Sequence, residues 1–165
     1  MAKKIIFIFL LGTVLVFLIT YILNNYFMEN TTLRGATMEP NYKSGQTCKI
    51  NKLVLSISRG DVIVFPSPNS SKIKYFKRVI AIPNDEIEIR SGNVFLNEAH
   101  LIENYIPEGV KTNLWEGGFM FQGNKVKVPT NSFFVMGDNR QRSSDSREWG
   151  FVNKKDIIGK IIKCN

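Results

Sequence analysis

The chain opens with a run of apolar positions unbroken by charge, and nothing later in it has the same character. Ile5 to Leu23 is a stretch of 19 uncharged residues, interrupted only by Gly12, Thr13, Thr20 and Tyr21. As a helix rising about 1.5 Å per residue it covers roughly 28 Å, close to the ~30 Å hydrocarbon core of a bilayer. A secretory signal has a shorter apolar stretch, about 7–15 residues, closed by a small-residue cleavage site. Here the run leads into Asn24-Asn25-Tyr26-Phe27-Met28-Glu29-Asn30, which contains no such site. The pattern predicts an uncleaved anchor helix that crosses the membrane once. Lys3 and Lys4 precede it, while Glu29 and Arg34 are the nearest charges after it, so the positive-inside rule keeps the N-terminus cytoplasmic. Residues 1–24 are thus expected to form a short cytoplasmic start and the anchor, and 25–165 an extracytoplasmic domain at the cell membrane.

Beyond the anchor, short β-prone runs alternate with turn residues. Strands are predicted at Thr47–Ile50, Asp61–Phe65, Lys74–Ile82, Glu86–Arg90, Val94–Asn97, Lys125–Val128, Phe133–Met136 and Ile157–Lys163. Ser91-Gly92-Asn93 reads as a tight hairpin, Pro66-Ser67-Pro68-Asn69-Ser70-Ser71 as a polar loop and Pro83-Asn84-Asp85 as a turn. Residues 98–124 have weak periodicity and contain Gly109, Gly117, Gly118 and Gly123, the mark of an irregular insertion. The expected fold class is mainly β, an antiparallel sheet domain behind one transmembrane helix.

Charge adds a partner and removes another. The formal net charge is +8, and without Lys3 and Lys4 there remain 20 basic and 14 acidic side chains, a net +6. A basic domain tethered to an anionic bilayer rests against it, at about 1 kcal/mol per well-placed cation. The cations are scattered and no nucleic-acid motif accompanies them, so no nucleic-acid partner is expected. Cys48 and Cys164 could be joined in an exported chain or could remain two thiols; sequence leaves both open. No Cys/His cluster has metal-ligand spacing, so no metal and no cofactor are expected. Asn30-Thr31-Thr32 and Asn69-Ser70-Ser71 fit the glycosylation sequon, which is short enough to arise by chance.

The candidate chemistry lies at Thr37 and Lys77. A hydroxyl nucleophile needs a base, and the usual one is histidine. The single histidine, His100, sits in a polar stretch away from any such motif. A desolvated lysine can replace it, as in Ser-Lys arrangements. Alternation along Tyr75–Ala81 puts Tyr75, Lys77, Val79 and Ala81 on one face, so Lys77 projects among mostly apolar neighbours. Burial disfavours the ammonium and should bring its pKa down from about 10.4. Taken alone, Lys77 reads as a snorkelling strand-edge lysine and Thr37 as an ordinary loop threonine. Their surroundings alter that reading. Gly35 permits an unusual turn beside the hydroxyl, Met38 can pack beneath it and Pro40 stiffens the exit. A third block, Met136 to Phe151, concentrates Asp, Asn, Arg and Ser behind an apolar strand, where charge-assisted pairs can brace a site.

Four segments carry a resemblance to the bacterial type I signal peptidases, the membrane-bound Ser/Lys endopeptidases. They are Thr37-Met38-Glu39-Pro40, Arg59-Gly60-Asp61, Lys77-Arg78-Val79, and Gly137-Asp138-Asn139-Arg140 with Ser143-Ser144-Asp145-Ser146-Arg147. They run collinearly with that family from the anchor almost to the C-terminus. Asn84-Asp85 stands where the family commonly has Gly-Asp, and Asn41 where it commonly has threonine.

The resemblance implies a membrane-bound endopeptidase that removes signal peptides from exported preproteins. It implies that the hydroxyl at 37 attacks, that Lys77 carries the proton, and that the N–H of residue 37 donates to the oxyanion. Ser143 would orient the lysine, with Asp145 and Arg147 bracing the site. Gly35, Ala36, Met38 and Pro40 fall along the oxyanion and substrate wall, with Arg78, Asp138, Asn139 and Arg140 in support. The implied substrate is an extended signal-peptide end with small residues at −1 and −3, bound by strand addition to a monomer. The departure is Thr37 in place of serine: its methyl limits χ1 and crowds the incoming carbonyl. A catalytically inactive homologue that binds signal peptides or assists a partner peptidase is the alternative, and a dedicated peptidase with few substrates would share the same site.

Overall fold

The computed structural model describes residues 2–54 and 56–165. The apolar run forms α1, Ala2–Phe27, whose apolar side chains are exposed on every face, as a helix solvated by lipid would have them. Lys3–Phe27 is long and apolar enough to cross a membrane. The helix ends later than Leu23 and passes without a linker into β1, Met28–Thr32. That strand has no apolar alternation; its pairing with β2, Thr47–Asn51, holds it extended.

The remaining elements follow in order: β3 (Val62–Ser67), β4 (Ser70–Ala81), β5 (Glu86–Arg90), β6 (Asn93–Leu96), β7 (Ala99–His100) and β8 (Lys125–Lys127). After them come β9 (Ser132–Met136), a short helix α2 (Ser146–Trp149), β10 (Val152–Asn153), a 3-10 turn (Lys154–Asp156) and β11 (Gly159–Cys164). All pairings are antiparallel. One sheet runs β1-β2-β11-β3-β4-β9-β10 and a smaller one β7-β6-β5-β8.

The fold is mainly antiparallel β with one N-terminal apolar helix, as expected, and several details differ from the sequence reading, among them the strands β1, β7 and β10. The Pro66–Ser71 segment is a hairpin, because pairing continues to Ser67 and Ser70 and only Pro68 and Asn69 turn. Pro66 lacks an N–H to donate but still pairs with Lys74 in register. Ala81 leaves the face of Tyr75, Lys77 and Val79: a register shift against β9 between Val79 and Ala81 inserts one residue and reverses the alternation. Ala81 therefore packs with Ile80, Phe134 and Met136, whereas Val79 packs with Ile63, Phe65 and Val135. Residues 98–124 are largely irregular, yet the segment anchors Met120 in the core and supplies Glu103, Tyr105 and Thr112 to the buried polar network described below. Asn84 takes φ +71°, a left-handed conformation that glycine adopts freely and asparagine tolerates.

Two features of the sheet prepare the site. β9 pairs with β4 only over Arg78–Ala81, so among the described residues the first half of β4 is unpaired on its outer edge. The outer edge of β1 is likewise free, since β1 is terminal in the sheet. Cys48 and Cys164, opposite one another on β2 and β11, form a disulfide.

Candidate active site

A cleft of about 640 Å³ lies between those two free edges. Its walls are Glu29–Thr32 of β1 and Lys72–Lys77 of β4, with Arg34, Thr37 and Ser144 completing the lining. Thr37 and Lys77, 40 residues apart in sequence, thus share one cavity.

Lys77 stands opposite Ile63 on β4, between Tyr75 and Val79 on the same face. It is 1% exposed, its Nζ lies 5.1 Å from the Tyr75 ring centroid, and it joins no ion pair among the described residues. Burial pushes its pKa from 10.5 down to about 8, with Asp145 and Asp138 opposing the fall and Arg147 adding to it. A substantial neutral fraction therefore exists near physiological pH.

Thr37 sits in a turn whose backbone is held from several sides. The Thr37 carbonyl accepts the Asn139 N–H at 3.0 Å and the Ala36 carbonyl accepts Asn139 Nδ2 at 3.1 Å. Gly35 takes φ +84°, outside the range comfortable for a side chain, and donates its N–H to Ser44 Oγ at 3.1 Å. Met38 is wholly buried against Leu33, Val62 and Phe76, which roots the turn in the core. Pro40 is exposed and follows a cis peptide bond. Among the described residues the Thr37 N–H has no acceptor.

The polar block folds beneath these groups. Asp145 caps α2 and its carboxylate takes the Gly137 N–H at 3.0 Å and the Arg147 Nε at 2.8 Å. Arg147, fully buried, reaches the carbonyls of Asn113, Arg140 and Ser143. Arg140 donates Nε to the Gly137 carbonyl at 3.1 Å and its other nitrogens to Glu103 and Thr112. Arg78 grips Asp138 with two hydrogen bonds of 2.7 and 2.6 Å. Each of these three guanidinium groups therefore has an acceptor, which such charges need in a medium that solvates them poorly.

Ser143 is buried and, among the described residues, its Oγ has no hydrogen-bond partner. No hydrogen bond joins Thr37 Oγ1, Lys77 Nζ and Ser143 Oγ; unliganded sites often hold such groups at looser distances. Glu103, Tyr105 and Thr112 were not singled out from sequence, and Gly137 and Asn41 were named only as motif positions without a role of their own. A Cβ on Gly137 would lie 2.2 Å from Ser143 Oγ and 2.4 Å from the Thr37 carbonyl oxygen, so that position was legible only as part of a motif. Glu103 and Tyr105 lie in the aperiodic stretch, where nothing local marks a buried partner.

A β domain behind an apolar helix, with a buried lysine and a threonine hydroxyl lining one cleft, fits a membrane-attached hydrolase. Comparison with known proteins agrees: the profile of the Signal peptidase, peptidase S26 family matches residues 5–164, and the chain belongs to that family. It is 35% identical over 156 residues to signal peptidase I P of Bacillus subtilis subsp. natto, covering 91% of this chain and 81% of that one. Over 162 residues it is 31% identical to signal peptidase I U of Bacillus subtilis strain 168, covering 95% and 86% respectively. Among solved structures, a signal peptidase I from Enterococcus faecalis V583 superposes with a TM-score of 0.52 at 29% identity, covering 64% of this chain and 96% of that one. Its family makes the protein a serine-type endopeptidase.

Proposed function

We propose that this membrane-bound signal peptidase uses Thr37 as nucleophile and Lys77 as general base to cut signal peptides from exported preproteins. Lys77 Nζ takes the proton of Thr37 Oγ1 as the oxygen attacks the scissile carbonyl carbon. The Thr37 N–H donates to the developing oxyanion. The Lys77 ammonium then gives its proton to the leaving amine, freeing the mature protein, and the neutral amine activates a water to release the signal peptide from the ester. The observation that carries this reading is the burial of Lys77 in a cleft it shares with Thr37. Its unpaired desolvation costs about 3 kcal/mol, which a module that only bound peptides would have no reason to bear.

The substrate reading rests on the free edges of β1 and β4. An extended peptide between them would be paired from both sides, with alternate side chains entering the walls. Small residues at −1 and −3 let the backbone approach the hydroxyl. For the topology, α1 crosses once with Lys3 and Lys4 on the cytoplasmic side, and the Cys48–Cys164 bond suits an oxidising exterior. The enzyme works as a monomer resting on the bilayer that also holds its substrate.

The purified chain in detergent, given a preprotein, tests this. Thr37→Ser should keep or raise cleavage, while Thr37→Ala and Lys77→Ala abolish it. Equal cleavage by wild type and Thr37→Ala would remove the assignment.

A further inference from the structure

Two consecutive residues, Asn139 and Asp138, hold the threonine turn at its start and at its end in sequence. Asn139 holds the Ala36 and Thr37 carbonyls at the start. At the end, Asn41 Nδ2 donates to Asp138 Oδ2 at 2.8 Å and to the Tyr105 carbonyl at 2.5 Å. Asp138 is itself held by Arg78, the residue next to Lys77 on β4. The strand that carries the lysine is therefore joined to the turn that carries the threonine through Arg78, Asp138 and Asn41.

We propose that Asn41 is a positioning residue that sets the Thr37 hydroxyl against Lys77, through its shared bonds to Asp138 and Tyr105. The proposal rests on the reading of Thr37 as nucleophile. Its physical basis is the stiffness of threonine: with two heavy atoms on Cβ, χ1 has few options, so the backbone decides where Oγ1 points. Serine could search rotamers to correct a shifted backbone; threonine has much less freedom to do so.

The residue type matters for the same reason. A carboxamide nitrogen carries two N–H groups and serves both acceptors, whereas a hydroxyl has only one proton to donate. The Tyr105 end is firm because the ring lies against Arg78, 4.3 Å from its guanidinium carbon, and its hydroxyl donates to Glu103 at 2.5 Å. Glu103 in turn pairs with Arg140, which holds the Gly137 carbonyl. Asn41 thereby connects the turn to the 98–124 segment as well as to β4.

The test is a double-mutant cycle on the full-length enzyme in detergent, with kcat and KM for a preprotein and the thermal midpoint measured for each variant. Asn41→Ala should lower kcat about tenfold with KM little changed, since a small misplacement of a reacting oxygen is enough. Asn41→Thr should lose less and Asn41→Asp more, the latter by setting a carboxylate against Asp138. In the Thr37→Ser background the Asn41→Ala loss should shrink to about threefold or less, because serine can readjust. Equal losses in the two backgrounds, or a fall in kcat matched by a fall in the folded fraction, would overturn the positioning role and leave the nucleophile assignment standing. Undiminished cleavage by Thr37→Ala would overturn both.

Discussion

Gly137 and Thr37 touch through their backbones: a Cβ on Gly137 would stand 2.4 Å from the Thr37 carbonyl oxygen and 2.2 Å from Ser143 Oγ. The glycine is the meeting point of the threonine turn and the polar block, with Asp145 on its N–H and Arg140 on its carbonyl. Neither its N–H nor its carbonyl is free to swing aside, and the obstructing Thr37 atom is backbone. Gly137→Ala must displace the turn or break those bonds. We expect a stability loss of about 1–3 kcal/mol from overpacking. Cleavage should fall about 100-fold from a displacement near 1 Å. Rate and unfolding midpoint measured together check this; an alanine variant with wild-type rate would mean the contact is not maintained in solution.

The depressed pKa of Lys77 predicts the acid limb of the pH profile. With the group titrating at about 8, kcat/KM should fall tenfold per pH unit well below that value and level off above it. Profiles of cleavage between pH 5 and 10 read this directly. A flat rate down to pH 6 would exclude Lys77 as the base.

The same burial has a consequence for stability. The unfolded lysine binds its proton up to about 10.5 and the folded one only up to about 8, so between these values the unfolded state holds more protons. Stability from this group is therefore complete above the unfolded value and is lost as pH falls through the folded one, leaving a constant penalty below. Lys77→Met, inactive but apolar, should be more stable than wild type at pH 7 by up to about 3 kcal/mol. The advantage should shrink toward pH 10.5. Chemical denaturation at both pH values measures it, and an unchanged difference would contradict the assigned shift.

The disulfide supplies a prediction independent of the chemistry. Cys48 and Cys164 are 116 residues apart, so the bond closes most of the chain beyond α1 into one loop. Replacing both by alanine should lower stability by about 2–4 kcal/mol, mainly by releasing the unfolded chain. Thermal unfolding of the pair variant beside wild type, with and without reductant, is the measurement. Identical midpoints would mean that the bond does not form.

Much of this architecture is written locally. The run from Ile5 to Leu23 declares a helix for lipid, because every residue in it would be stranded in water on one face or another. Strands such as Glu86–Arg90 and Phe133–Met136 are legible because alternation and apolar runs with turn residues at each end are short-range signals. The family motifs around Thr37 and Lys77 are compact for the same reason. β1 was not legible: Met28-Glu29-Asn30-Thr31-Thr32 has no strand pattern and is extended because β2 pairs with it.

Tertiary structure decided everything that depends on who lies across the gap. The cleft exists because β9 stops short along β4 and β1 ends the sheet, and no stretch of residues encodes an unpaired edge. Lys77 is desolvated by chain folded over it; alternation could propose its face but not its burial, and it misassigned Ala81 because a one-residue register shift leaves no mark in the pattern. Glu103 looks like a solvated polar residue until Arg140 arrives beside it, and Asn41, though still exposed, gains Asp138 and Tyr105 as partners from elsewhere in the chain. Periodicity is a property of neighbours in sequence, whereas hydrogen-bond and ion partners are set by which distant segments the packed core brings together.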